Sequence, residues 1–345
     1  MKFSVLSKRL VKKALLETGV ARIASRFRPP AAAILAYHSV QDNPEDYAKT
    51  IGVNNIHSTL VFASQMELVA RKFHPVTVDD ILLFLRGEKQ LPPRSVAVTF
   101  DDGYLDNFEL VAPVLERYGI RGAFYVMVDA IGSAVLPWFI RLRHAFWTTR
   151  LKTWRGPGNG TVFALGNLDG RRVAFLAACC HCAKLVGVAQ EQLLRSIERD
   201  LEAAPVKAGK IMMGWDELCR LCAAGHIIGS HTLCHPNVAF IRPEEALHEF
   251  TESKRRLQAH LGVEVRHFSY PHPVLDPNYT EETAIMSREA GFESGVTTVN
   301  APVDRGQNAW SLPRLYTLKH PDDFHWHLEK AFFASHDGES KSYEG

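Results

Sequence analysis

At 345 residues, with 46% hydrophobic and 23% charged side chains, the chain has the apolar material for a buried core and none of the bias of disordered, collagenous or low-complexity proteins. Forty basic residues against 38 acidic ones leave a formal charge of +2, too balanced for a protein that coats nucleic acid. Six cysteines in a chain of this length make no disulfide framework.

The charge is uneven along the chain. Residues 1–29 carry eight basic side chains and one acid, Glu17, hence +7. Charge interrupts every apolar turn of this arm, so it lacks the continuous hydrophobic segment of an export signal. The uncharged apolar stretches elsewhere fall short of the roughly 20 residues that span a bilayer. The expected location is therefore cytoplasmic. The arm, residues 1–30, reads as a basic helix, with Val5, Leu10, Val11, Leu15 and Val20 spaced to lie on an anionic membrane face.

From residue 31 onward, short runs rich in β-branched and aromatic residues alternate with helical patterns. Strands are predicted at 34–38, 96–100, 123–128, 226–230, 267–270 and 294–298. Helices are predicted at 60–72, 78–85, 106–118, 215–224, 243–261 and 280–290, with Gly119, Gly225, Gly262 and Gly291 as stops. Such alternation means parallel strands joined by helical crossovers, an α/β architecture. Residues 131–210 break the rhythm and read as a mainly helical insertion, in which RGPGNG is a turn rather than a phosphate loop because it lacks the lysine. The reading divides the chain into the arm, a barrel from 31–130 and 211–320, the insertion, and a C-terminal helix and tail at 321–345. Cys219 and Cys222 form a CxxC whose spacing fits the buried face of an amphipathic helix better than a zinc knuckle.

Two segments carry chemistry. The apolar run VAVTF leads directly into Asp101, Asp102 and Gly103, placing paired carboxylates at the carboxyl end of a strand, where the loops of a parallel barrel converge. Adjacent carboxylates repel unless a cation joins one of them, which lets one hold a metal while the other serves as a base. The run HIIGS leads likewise into His231 and His235, four apart as on a helical turn. Two imidazoles and a carboxylate suit a single divalent ion, zinc by default, with a coordination position left for water or substrate.

TFDDGY at 99–104 and SHTLCHP at 230–236 resemble the first two motifs of the polysaccharide deacetylases, the NodB-homology or carbohydrate esterase family 4 domain. The resemblance implies a distorted (β/α) barrel of the NodB type and a metal-dependent hydrolase that removes acetyl groups from N-acetylated sugars of a polysaccharide or lipid-linked glycan. Carried over, Asp101 is the general base, Asp102, His231 and His235 hold the metal, and the Tyr104 amide is an oxyanion donor. Cobalt, nickel, iron or manganese would also fit. The third motif departs from the common pattern: residues 266–273 read RHFSYPHP, with Pro273 in place of glycine, and resemble the FAYPYG-like version of the branch acting on exported or lipid-linked polysaccharides. On that likeness Tyr270, Pro271 and His272 line the groove and Arg314 orients Asp101, an ordinary surface pair being the alternative for Arg314. The general acid is His38, at the end of the first strand, in preference to His320 of a late Leu-x-His. A sugar O-acetyl esterase and a non-catalytic glycan-binding or membrane-associated scaffold are the rival readings. The oligomeric state stays open.

Overall fold

The computed structural model describes residues 31–45 and 56–333, except Asn159, Pro205, Lys207, Ala208 and Pro273, together with the isolated positions 16 and 18. The rest of the basic arm, the end of the tail and the proline of the third motif thus lie outside the described residues. Strands run in the order β1 (Ala31–Tyr37), β2 (Val40–Gln41), β3 (His57–Ser58), β4 (His74–Pro75), β5 (Ser95–Phe100), β6 (Ala123–Val126), β7 (Thr153–Arg155), β8 (Val162–Ala164), β9 (Ile227–Ser230), β10 (His267–Ser269), β11 (Ser294–Val296), β12 (Val303–Asp304) and β13 (Leu315–Tyr316). The helices are α1 (Thr59–Lys72), α2 (Val78–Leu85), α3 (Ala112–Arg117), α4 (Trp138–Thr148), α5 (Leu168–Cys182), α6 (Gly187–Asp200), α7 (Trp215–Ala223), α8 (Pro243–Leu261), α9 (Glu281–Glu289) and α10 (Pro321–Ala331). No helix among the described residues is long and apolar enough to cross a membrane.

All six strands expected from the apolar runs form, and they are neighbours in one sheet ordered β11-β10-β9-β6-β5-β1. Every pairing along that path is parallel. All residues of β5 and β6 are buried, as befits strands covered on both faces, whose sequences read as unbroken hydrophobic runs. The sheet curls until its edges are joined by one segment: Leu312 bridges Val296 of β11, and β13, three residues on, pairs parallel with β1. The result is a distorted (β/α) barrel.

Register aligns the strand ends. Tyr37 pairs with Phe100, Phe100 with Phe124, Val126 with Ser230, Ser230 with Phe268, and Ser269 with Val296. His38, Asp101 and His231, each the first residue beyond its strand, are therefore delivered to one rim of the barrel.

The crossover helices match the sequence reading to within a residue or two. α8 begins with Pro243 in its first turn and stops at Gly262, whose φ of +66° only glycine adopts without strain. The helix expected from residue 106 differs: it opens as a wide π-helical turn, Asn107–Val111, and becomes α-helical only at Ala112. Residues 131–210 hold α4, α5 and α6 around an apolar cluster that includes Phe146, Trp154, Cys179, Cys182 and Leu194. They also contain a hairpin, β7 with β8. Those strands have three residues each and largely exposed side chains, so no apolar run announces them.

Candidate active site

The first loop is built from backbone constraints. The Asp101 amide donates to the Tyr37 carbonyl at 3.0 Å, which extends the ladder one residue past β5. Asp102 then takes φ +74° and Gly103 φ +81°, reversing the chain. A Cβ on Gly103 would meet Val126 Cγ1 at 3.0 Å, so glycine is needed for both conformation and space. Tyr104 pairs antiparallel with Met212, and the two bonds of that bridge are made by the Leu105 and Met213 amides.

In the second loop the histidines do not sit on a helical turn as their spacing suggested. Thr232 and His235 both have positive φ, +69° and +60°, and the Thr232 hydroxyl accepts from the His235 amide at 2.9 Å. Glu249, on α8, accepts from the Leu233 amide at 2.7 Å and the Cys234 amide at 3.3 Å. This curl, rather than helical periodicity, turns both imidazoles to one point.

There they meet Asp102. Nε2 of His231 and Nε2 of His235 each lie 3.5 Å from Asp102 Oδ1. One ligand atom from each of the three falls within 4.8 Å of the others, and among the described residues this is the one such group of His, Cys, Asp and Glu. The CxxC therefore builds no comparable group; Cys219 is exposed on α7. The donors fit a divalent ion. His231 Nδ1 donates to the Ser269 carbonyl at 2.7 Å, which directs the Nε2 lone pair toward the centre. Asp102 Oδ1 is buried and has no hydrogen-bond partner, a state that a cation would satisfy.

Electrostatics treat the three groups differently. Burial, reinforced by the charge of His231, pushes His235 down to about 3, so its ring is neutral and free to ligate. Burial would also lower His231, but Asp102 and Asp101 outweigh it and hold the group up. For Asp102, burial is overcome by His231, His38 and His235, and its carboxyl is lowered.

Asp101 has a different partner. Arg314, 3% exposed, binds it through two parallel bonds, Nη1 to Oδ1 at 2.8 Å and Nη2 to Oδ2 at 2.7 Å. Arg314 Nε donates to the Thr297 carbonyl at 3.0 Å, fixing the guanidinium in place. This is a buried fork rather than an exposed surface pair. Burial would raise Asp101, yet Arg314, His231 and His38 together hold its carboxyl well below the usual carboxylate range. His38 is close enough to bias both aspartates and His235 by its charge.

The third motif behaves otherwise than expected. Tyr270 is a core residue, 1% exposed, its ring packed on Phe250 and Phe268 and its hydroxyl donating to the Trp310 carbonyl at 2.9 Å. Pro271 beside it is buried too. His272 lies 3.9 Å from Asp276. His320 occupies the N-cap position of α10 and lies 4.0 Å from Asp323.

Sequence reasoning missed the contribution of the insertion. Phe139 lies 5.0 Å from the His235 ring, and Trp138 Nε1 donates to the His235 carbonyl at 3.3 Å. Phe139 also joins an apolar cluster with Tyr104, Ile140 and Met212. Glu249 lies mid-helix and Ser269 acts through its carbonyl, and neither had any signal.

The model of the polysaccharide deacetylase family matches residues 88–295, more than half of the chain and including both loops. YxkH of Bacillus subtilis (strain 168) is 20% identical over 293 residues, covering 84% of this chain and 72% of that protein. Two solved structures share the fold. The Streptococcus pyogenes deacetylase PplD, in complex with acetate, aligns with a TM-score of 0.59 at 16% identity, over 87% of this chain and 99% of that one. IcaB from Ammonifex degensii aligns at 0.56 with 19% identity, over 89% and 99%.

Proposed function

The chain belongs to the polysaccharide deacetylase family, and from that premise we propose that it is a divalent-metal-dependent hydrolase releasing acetate from N-acetylated sugars of a polysaccharide or lipid-linked glycan. The observation that carries this reading is the buried Asp102–His231–His235 group standing beside an Asp101 clamped by Arg314.

Asp102, His231 and His235 would hold a divalent ion, zinc by ligand type, which would supply Lewis-acid polarisation and acidify a water. Asp101 takes the proton of the attacking water. Arg314, His231 and His38 hold the Asp101 carboxyl low, so it stays ionised and able to accept a proton. The Tyr104 amide meets the oxygen that gains charge as the carbonyl becomes tetrahedral. His38 delivers a proton to the departing amine nitrogen, without which an amine is a poor leaving group. Arg314 keeps the Asp101 carboxylate aimed and ionised.

We place the reaction at the cytoplasmic membrane face, a location supported by the +7 charge of residues 1–29. The decisive experiment pairs metal analysis with acetate release from a panel of N-acetylated and O-acetylated glycans. The expected result is about one divalent ion per chain, N-acetyl preference, and loss of both metal and activity in the double variant His231→Ala, His235→Ala. Retention of metal and turnover in that variant would overturn the site.

A further inference from the structure

The segment that carries His38 is gripped by two side chains for which the chemistry above has no use. Asp106 is 5% exposed, and its carboxylate accepts four hydrogen bonds. Oδ2 takes Ser39 Oγ at 2.5 Å and Gln41 Nε2 at 2.7 Å. Oδ1 takes the Val40 amide at 3.3 Å and Asn107 Nδ2 at 2.8 Å. Asn107, fully buried, also donates to the His38 carbonyl at 2.8 Å. Every residue from His38 to Gln41 is thus bonded to one of two adjacent side chains.

Burying a carboxylate is costly unless donors replace its water, and four donors on one group are a heavy commitment for a connection of four residues. The ring of His38 explains what it secures. Its Nδ1 is buried and has no hydrogen-bond partner, so nothing grips that side of the imidazole, and the position of the ring follows from its backbone. Asp106 and Asn107 stand where the chain enters the wide π-helical turn Asn107–Val111, a few residues beyond Asp101 and Asp102. One short segment therefore carries the base, the metal-binding carboxylate and the fastening of the acid.

We propose that Asp106 and Asn107 are positioning residues that fix the His38 segment so that its imidazolium reaches the leaving nitrogen. The proposal rests on His38 being the general acid. In the step concerned the C–N bond of the tetrahedral adduct breaks, its electron pair passes to nitrogen, nitrogen takes the proton from imidazolium, and the carbonyl of acetate re-forms. A phenolate leaving group needs no such proton.

The test compares an N-acetylglucosamine pentamer with 4-nitrophenyl acetate on metal-loaded protein. In His38→Ala the ratio of amide to aryl-ester turnover should fall by roughly 100-fold, within the range of a general acid. In Asp106→Ala and Asn107→Ala it should fall by roughly 10-fold, through kcat with little change in KM and with metal content retained. Ser39→Ala, which removes one of the four bonds, should give a smaller drop of the same kind if Asp106→Ala does not fold. Parallel loss on both substrates, or an unchanged ratio, in the Asp106 and Asn107 variants would overturn the positioning role. An unchanged ratio in His38→Ala would instead remove the acid assignment beneath it.

Discussion

Two adjacent aspartates with different partners are the residue-scale basis of the site. Asp101 faces a guanidinium and Asp102 faces two imidazoles, so asparagine in each position should fail differently. Asp101→Asn is expected to keep its metal and lose turnover by at least ~100-fold, whereas Asp102→Asn should lose metal, both read by metal analysis beside acetate release. Asp106 yields a stability prediction. Burial, opposed by bonds from Ser39, Gln41, Val40 and Asn107, raises its carboxyl to about 6. The folded state then binds this proton more tightly than the unfolded one, so the contribution is present below pH ~4 and lost as pH rises toward 6. Relative to Asp106→Asn, the wild type should lose on the order of 3 kcal/mol of unfolding free energy across that window, measurable by urea titration. A wild type that gains stability relative to Asp106→Asn as pH rises from 4 to 6 would contradict the raised carboxyl.

At the scale of elements, strand ends bring the functional groups together and helices hold the loops that carry them. α8 acts through Glu249, whose carboxylate ties down the two amides between the histidines. Glu249→Ala should release that curl and weaken metal affinity by roughly 10- to 100-fold in a competition assay, with the ligands themselves untouched. α10 is fastened by a buried ion pair, Arg94 with Glu329, while the Arg94 guanidinium also covers the Phe73 ring at 4.2 Å. Glu329→Ala removes the carboxylate from this buried pair and should cost about 3–5 kcal/mol in urea unfolding. The amino-terminal end of the barrel has its own polar cluster: His267 bonds Asp79 at 2.7 Å and Ser294 at 2.8 Å. Its serine is buried, 1% exposed, at the rim opposite the site, so this arrangement serves packing.

Across the whole molecule, barrel closure and the insertion decide what surrounds the metal-binding group. Closure through residues 312–316 carries Arg314 onto Asp101, 213 positions away in sequence. The insertion lays Trp138 and Phe139 against His235, so one wall of the site comes from outside the alternating β/α pattern. Apart from positions 16 and 18, the arm lies outside the described residues, and its proposed role is electrostatic. Binding to anionic vesicles should fall with added salt and disappear when residues 1–29 are deleted. Co-sedimentation unaffected by that deletion would refute the arm's role.

The strands, most crossover helices and the Asp101, Asp102, His231, His235 set were legible in the sequence because local chemistry announces them. Doubly covered strands must be apolar, helices need stops, and acids or histidines directly after such strands stand out. The short strands β2, β3, β4, β12 and β13 were not legible, since two residues carry no periodicity. Nor did spacing reveal how the histidines converge: left-handed backbone at Thr232 and His235 does that, held by an acid on another element. Tyr270 was expected in the groove from the family likeness of its motif alone, whereas its ring packs on Phe250 and Phe268. Which groups are chemically able to act is a property of residue type and local order. Which of them meet, and what clamps them, depends on closing a sheet whose edges lie far apart in the chain, and only the tertiary structure decides that.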